Sequence, residues 1–269
     1  MKVIALVSGG KDSVFNMMEC VKNGHEIVAL VNLRPPNSQS IQNESNMESN
    51  GEVINELDSY MYQSVGNEML DLYAEAMELP MYRAVIHGKV INTDLDYEPN
   101  DADEVEDLYK LLKNVKTELE EKNKCVIEGV SSGAILSTYQ KNRVENICKR
   151  LNMTSLAYLW ARNQSELLNE MIESDLNAIL IKVACYGLEP EKHLGKTLKE
   201  IQPHLLKLEK EFGANVCGEG GEYESFTLDC PLFKKRKIVI DEYELKIHSN
   251  DAFAKVGYLI FKKFHLENK

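Results

Sequence analysis

Five short apolar runs alternate with amphipathic stretches over the first 162 residues. Val3-Ile4-Ala5-Leu6-Val7 comes first, followed by 26–31, 81–86, 125–130 and 155–160. Runs this short and this rich in Val, Ile, Leu and aromatic residues predict buried strands. Between them, Val14–Val21, Asn67–Glu78, Ala102–Lys122 and the stretch that ends at Arg150 repeat apolar residues at helical spacing. Strand, helix and strand in this succession imply right-handed parallel pairing. The pattern therefore predicts an α/β fold, a doubly wound parallel five-stranded sheet. Its first and fourth strands lie side by side where the strand order reverses, and a ligand crevice opens there.

The remaining chain reads differently. Gln164–Ser174 has a helical pattern, Asn177–Ala184 is a buried strand, and a loop at His193–Thr197 leads to a helix ending near Gly213. Lys237–His248 and Val256–His265 alternate apolar and polar residues as strands do. This places a boundary near residue 162, with a smaller α/β domain over 163–269. Residues 37–51 are almost all Asn, Ser, Gln, Glu and Gly. They hold too little apolar surface to fold and are expected to form a mobile surface insertion.

Composition narrows the function classes. The chain has 269 residues, 43% of them hydrophobic, and a net charge of −12. That balance argues against a broad nucleic-acid-binding surface. No apolar run approaches the roughly 18 residues of a membrane span, so no membrane association is expected. Met1-Lys2 leads straight into the first strand, so no signal peptide is expected. The six cysteines form no CxxC pair and mostly sit in apolar segments. They read as reduced core thiols of a cytoplasmic protein.

The chemistry centres on Ser8-Gly9-Gly10-Lys11-Asp12-Ser13, between the first strand and its helix. The first N–H groups of a helix lack internal partners, and the helix dipole adds partial positive charge there. Gly9 and Gly10 admit an anion without a Cβ in the way, and Lys11 adds a point charge. Asp12 is a candidate Mg²⁺ ligand, and Ser8 and Ser13 supply hydroxyls. The spacing is neither that of a Walker A loop nor that of a dinucleotide fingerprint. Across the crevice, Ser131 and Gly133 follow the fourth strand as nucleotide contacts; the competing reading is a helix cap without a ligand. Tyr60 and Gln63 lie beyond the carboxyl end of the second strand, where parallel sheets bind ligands, or else they belong to the core. Arg143 meets a phosphate, a substrate carboxylate or a surface acid. The carboxylates from Asp103 to Glu106 read as dipole and solubility residues at a helix start capped by Asp101. Glu219, Glu222 and Glu224 fall within six residues, separated by glycines. They suit Mg²⁺, a cationic substrate or a proton, or they form a solvated acidic turn.

The 8–13 stretch resembles the SGGxDS pyrophosphate loop of N-type ATP pyrophosphatases. Over nearly its whole length the chain also resembles the diphthine–ammonia ligase family. That likeness rests on 8–13, 57–66, 103–109, 143–146, 193–198 and, most specifically, Cys217 through Phe233. Ser225 stands where Thr is common in the family pattern, and Ser132 where an apolar residue is common. The resemblance implies a fold of the adenine nucleotide alpha hydrolase type. It implies ATP and Mg²⁺ as cofactors, and ammonium and translation elongation factor 2 bearing diphthine as reaction partners. The expected reaction is amidation through an acyl-adenylate, releasing AMP and pyrophosphate. Lys11, Asp12 and the glutamates 219, 222 and 224 are the implied catalytic groups. Tyr223, Trp160 and Tyr60 are aromatic faces for the trimethylammonium of diphthine. Two other readings stay open: another adenylating ligase of the same fold, or a nucleotide-binding sensor without catalysis.

Overall fold

The computed structural model describes residues 1–36, 65–92, 94–249 and 253–269. The first half holds β1 (Lys2–Leu6), α1 (Lys11–Lys22), β2 (Glu26–Arg34), α2 (Asp71–Met77) and β3 (Met81–Val85). It continues with α3 (Glu104–Asn123), β4 (Gly129–Ser131), α4 (Thr138–Arg150) and β5 (Thr154–Leu156). The five strands form one sheet in the order β3-β2-β1-β4-β5, with every pair parallel. This is the doubly wound sheet predicted from the alternation, and the order reverses between β1 and β4.

Successive strand residues point to opposite faces, and the core divides accordingly. Val3, Ala5 and Val7 pack with Val14, Met17 and Tyr73 on the face of α1 and α2. Ile4, Ala29, Val31 and Leu33 pack with Val105, Leu108, Leu112 and Val144 on the face of α3 and α4.

The second half comprises α5 (Gln164–Glu173), β6 (Asn177–Val183), α6 (Pro190–His193), α7 (Leu198–Phe212), β7 (Tyr223–Asp229), β8 (Arg236–Ser249) and β9 (Val256–Asn268). Its four strands form an antiparallel sheet in the order β7-β6-β9-β8. The core around α1 continues into this half. Tyr73 meets Phe226 and Phe233 edge to face, with ring centroids 5.4 and 5.1 Å apart.

Local signals explain the element ends. Thr197 and Glu200 form a capping box on α7, and Gly213 closes that helix at φ +70°. Three expectations change. The cap of α3 is Asp103, whose carboxylate accepts the Val105 N–H at 2.9 Å, not Asp101. The acids expected to serve as solubility residues there are buried: Asp103, Glu104 and Glu106 are at most 3% exposed. The helix expected over 67–78 splits into a 3₁₀ turn at Asn67–Met69 and α2. Arg83 takes the Asn67 carbonyl at 2.9 Å and tightens that first turn.

Candidate functional site

The loop between β1 and α1 is held from the second half of the chain. Gly9 has φ +91°, and a Cβ there would sit 2.6 Å from the Phe226 ring. Its carbonyl accepts the Thr227 N–H at 2.8 Å. The Tyr73 hydroxyl lies 2.9 Å from that carbonyl and 2.7 Å from the Thr227 carbonyl, with one proton to serve both. Gly10 is the N-cap of α1 and offers no side chain to its amides. The Lys11 N–H donates instead to Ser225 Oγ at 3.1 Å. The serines fold the loop on itself: Ser13 Oγ donates to the Gly10 carbonyl at 3.0 Å, and the Gly10 N–H donates to Ser8 Oγ at 3.3 Å.

Lys11 is 2% exposed. Its ammonium donates to Asp12 Oδ2 at 2.9 Å and to the Cys217 carbonyl, and lies 5.0 Å from the centre of the Tyr223 ring. Burial works against this charge, but Asp12, Tyr223 and Cys217 outweigh it, so its pKa lies above the ordinary lysine value. Asp12 shows the converse balance: burial exceeds the attraction of Lys11 and raises its pKa.

Gly133 brings the loop after β4 against the first turn of α1. A Cβ there would lie 2.6 Å from the Asp12 carbonyl carbon and the Ser13 nitrogen. Ser131 does not face the crevice. It is fully buried, and its Oγ accepts from Asn16 Nδ2 at 2.7 Å. Asn16 also donates to the Leu156 carbonyl at 2.7 Å and accepts the Tyr158 N–H at 2.8 Å, tying α1 to β4 and β5.

These segments enclose a cavity of about 240 Å³. Much of its lining comes from Ser8, 10–13, 132–134, 217–219 and 223–225, and Leu6, Val31, Leu33, Leu108 and Val144 add apolar surface. Two buried oxygens on its wall, Asp12 Oδ1 and Ser132 Oγ, have no hydrogen-bond partner among the described residues. Such groups are costly unless a ligand satisfies them. A lone carboxylate oxygen of this kind fits Mg²⁺, which takes one or two carboxylates and keeps water and phosphate as its other ligands. Among the described residues, no group of three or more His, Cys, Asp or Glu could hold a metal without such help.

The glutamate-rich turn separates into three roles. Glu219 lines the cavity and accepts the Leu136 N–H at 2.7 Å. Burial, and then the charge of Asp12, raise its pKa. Glu222 points away from the cavity, accepting from the Asn215 N–H at 2.8 Å, Asn215 Nδ2 at 2.7 Å and the Gly220 N–H at 2.8 Å. It holds the turn together. Glu224 lines the cavity and lies 3.4 Å from Lys182 Nζ.

The other expected substrate contacts scatter. Arg143 is fully buried, and among the described residues it pairs with no carboxylate. It donates to the carbonyls of Tyr139, Asn92 and Asp94, and its guanidinium lies 3.3 Å from the centre of the Tyr139 ring. Tyr223 is 4% exposed; its hydroxyl donates to the Val216 carbonyl, and its ring is already covered by Lys11. Trp160 carries Lys141 5.1 Å from its ring centre. Tyr60 and Gln63 lie outside the described residues, as does the polar insertion at 37–51. Sequence reasoning missed Asn32, which lines the cavity and donates to the Val7 carbonyl at 3.0 Å. It also missed Asn16, Tyr73 and the clamping role of Ser225. A lone amide in an otherwise apolar strand, or on the apolar side of a helix, is the signal that marks Asn32 and Asn16.

Residues 1–50 and 41–155 match the Diphthamide synthase N-terminal domain, and 163–263 match the Diphthamide synthase C-terminal domain. Diphthine–ammonia ligase of Mus musculus is 60% identical over 269 residues, covering 100% of this chain and 94% of its own length. The Homo sapiens protein of the same name is 58% identical with the same coverage. The Schizosaccharomyces pombe protein of that name is 53% identical over 97% of this chain but only 39% of its own length. Among the described residues, no helix is long and apolar enough to cross a membrane.

Proposed function

The chain is a ligase that belongs to the diphthamide synthase family, and we propose that it amidates diphthine on translation elongation factor 2, using ATP and ammonium. The observation that carries this reading is the meeting of two segments at one cavity. The amino end of α1, with Lys11 and Asp12, and the turn bearing Glu219 both line it.

The substrate carboxylate is a poor electrophile, because its charge repels a nucleophile. Its oxygen attacks the α-phosphorus of ATP, a P–O bond forms, and pyrophosphate leaves. Lys11 and the α1 amides face the charge that develops on the leaving group. Mg²⁺ held by Asp12 Oδ1 would add Lewis-acid charge at the same phosphates. Ammonium gives a proton to Glu219, whose carboxylate burial and the Asp12 charge make a stronger base than an ordinary glutamate. The resulting ammonia attacks the acyl carbon, the C–O bond to AMP breaks, the nitrogen passes its surplus proton by way of the departing AMP phosphate to solvent, and the amide forms. The apolar surface of the cavity takes the base, and Trp160 offers its face to the trimethylammonium when Lys141 swings away. Residues 1–162 serve as the ATP-binding half and 163–269 supply the acceptor side.

The test is AMP formation with ATP, Mg²⁺, ammonium and diphthine-bearing elongation factor 2, followed by Glu219→Gln, Glu222→Gln and Glu224→Gln. Glu219→Gln should lower amide yield at saturating ammonium by on the order of 10²-fold, the scale of one lost acid–base group. AMP release that ignores the protein substrate, or full turnover in all three variants, would remove the turn from the chemistry.

A further inference from the structure

The loop between β3 and α3 is fixed by charged groups that the reaction does not use. Asp103, fully buried, accepts the N–H groups of Ile91 at 3.2 Å and Asn92 at 3.3 Å through one oxygen and that of Val105 through the other. Asp107 accepts the N–H groups of His87 at 2.7 Å and Gly88 at 2.8 Å. From α4, Arg143 donates to the Asn92 carbonyl at 2.6 Å and the Asp94 carbonyl at 3.2 Å, and Asn142 donates to the Leu95 carbonyl at 2.9 Å. Asn146 reaches the Tyr97 carbonyl at 3.4 Å, and the Tyr97 hydroxyl donates to Glu106, which Arg150 grips through both oxygens at 2.7 Å. Two stretches singled out in the sequence, 103–109 and 143–146, thus act together on one loop.

Beyond the exposed His87 and Lys89 at its start, what this loop offers to solvent from 91 to 98 is apolar and acidic. Ile91 is 49% exposed and Leu95 60%, while Asp94, Asp96 and Glu98 are exposed around Leu95. Leu136, 46% exposed, lies just before α4, and its N–H is bonded to Glu219 at the cavity. Gln140 and Val144, on the same helix that holds the loop, line the cavity. A surface loop without a task does not need buried charges to fix its backbone, and exposed leucines carry a solvation cost that docking removes.

We propose that Ile91, Leu95 and Leu136, with the carboxylates of Asp94, Asp96 and Glu98, form the docking surface for the diphthine-bearing protein substrate, engaging a basic, apolar-centred face of it. The inference rests on the ligase reading above. A side chain modified on a folded protein enters the cavity while the body of that protein stays outside it, and α4 joins the two places, lining the cavity through Gln140 and Val144 and holding the loop through Asn142 and Arg143. Their charge fits a cationic partner and speeds its encounter.

The experiment compares the wild type with Ile91→Asp/Leu95→Asp and with Asp94→Asn/Asp96→Asn/Glu98→Gln, all exposed positions. Amide formation is followed against the concentration of protein substrate, and separately against ATP. The first variant should raise KM for the protein substrate about tenfold or more, as loss of apolar interface anchors does, with kcat and KM for ATP unchanged. The second should flatten the salt dependence of kcat/KM for the protein substrate. An unchanged KM for the protein substrate in the first variant overturns the proposal, as does a KM for ATP that rises in parallel. A change in sedimentation of the enzyme alone on making the first variant would assign the surface to a second copy of the chain and equally overturn it. Failure of the ligase reading is seen earlier and separately, as a wild type that forms no amide.

Discussion

Lys11 carries two loads that one pair of substitutions can separate. Its ammonium is the charge we propose for the leaving pyrophosphate, and it is also the buried partner of Asp12 and of the Cys217 carbonyl. Lys11→Met keeps most of the side-chain volume and removes the charge. It leaves Asp12 without its cation, the Cys217 carbonyl without its donor, and the Tyr223 ring without the ammonium above it. Breaking a fully buried pair costs about 3–5 kcal/mol. The Asp12 side chain is 26% exposed, so the expected loss of stability is smaller, about 2–3 kcal/mol. Adding Asp12→Asn removes the stranded carboxylate, and a neutral pair of similar shape should recover most of that loss. Activity should not follow. With the charge gone, transition-state stabilisation falls by about 2.7–4 kcal/mol, or about 10²–10³ in rate, in the single variant, and by at least as much in the double variant, which also gives up the carboxylate proposed to hold Mg²⁺. Urea unfolding and AMP release measured on the same preparations give both quantities. If Lys11→Met unfolds at the wild-type midpoint, the ammonium is not the counter-charge that the geometry gives. If the double variant regains AMP release together with stability, Lys11 serves the fold alone and the phosphate argument fails.

Three further changes probe the surrounding structure. Gly133→Ala puts a methyl group 2.6 Å from the backbone of Asp12 and Ser13. It should push the first turn of α1 off the loop after β4, raising KM for ATP and lowering stability by about 1–3 kcal/mol, as overpacking does; a wild-type KM would show that the two loops need not touch. Glu222→Ala removes the acceptor for three N–H bonds and should cost about 1–3 kcal/mol, read as a lower unfolding midpoint, while ammonium dependence stays that of the wild type. His193 accepts the Glu189 N–H at 2.7 Å and stacks on His204 with ring centroids 4.6 Å apart. Burial first, then the charge of His204, hold its pKa below 6.5. The unfolded chain therefore binds that proton first as pH falls, so this contribution is complete above about pH 6.5 and is lost as pH drops towards the folded pKa. His193→Gln should flatten the decline of the melting temperature below neutrality, and an unchanged slope would assign the decline to other groups.

How much of this could be read along the chain depended on the range of the interaction. The parallel sheet was legible because each strand and each helix carries its own periodicity, and the crevice between β1 and β4 follows from topology. The loop at 8–13 was legible because its chemistry is local: strand, glycines, lysine and helix lie within one short span. The glutamate-rich turn was legible as unusual but not as three different residues. Nothing in Glu219-Gly220-Gly221-Glu222 says that Glu222 turns back on Asn215 while Glu219 faces Asp12. That division is made by the turn from Gly218 to Gly221, at φ +81° and +82°, closed by the Gly221 N–H on the Gly218 carbonyl at 3.0 Å. Arg143 and Asp103 were misread for a related reason. A charged residue on a helix looks solvated unless its partners can be seen, and theirs are the carbonyl and N–H groups of a loop with no pattern of its own. Ser225 is the furthest case, because its hydroxyl acts on the Lys11 N–H across 214 residues. One of the amides at the proposed anion site, the Lys11 N–H, is therefore already shared with β7. On the proposed reading, a nucleotide that takes this N–H must either displace the Ser225 hydroxyl or use it as a further donor, so that occupancy of the loop would be felt in the strand that carries Glu224.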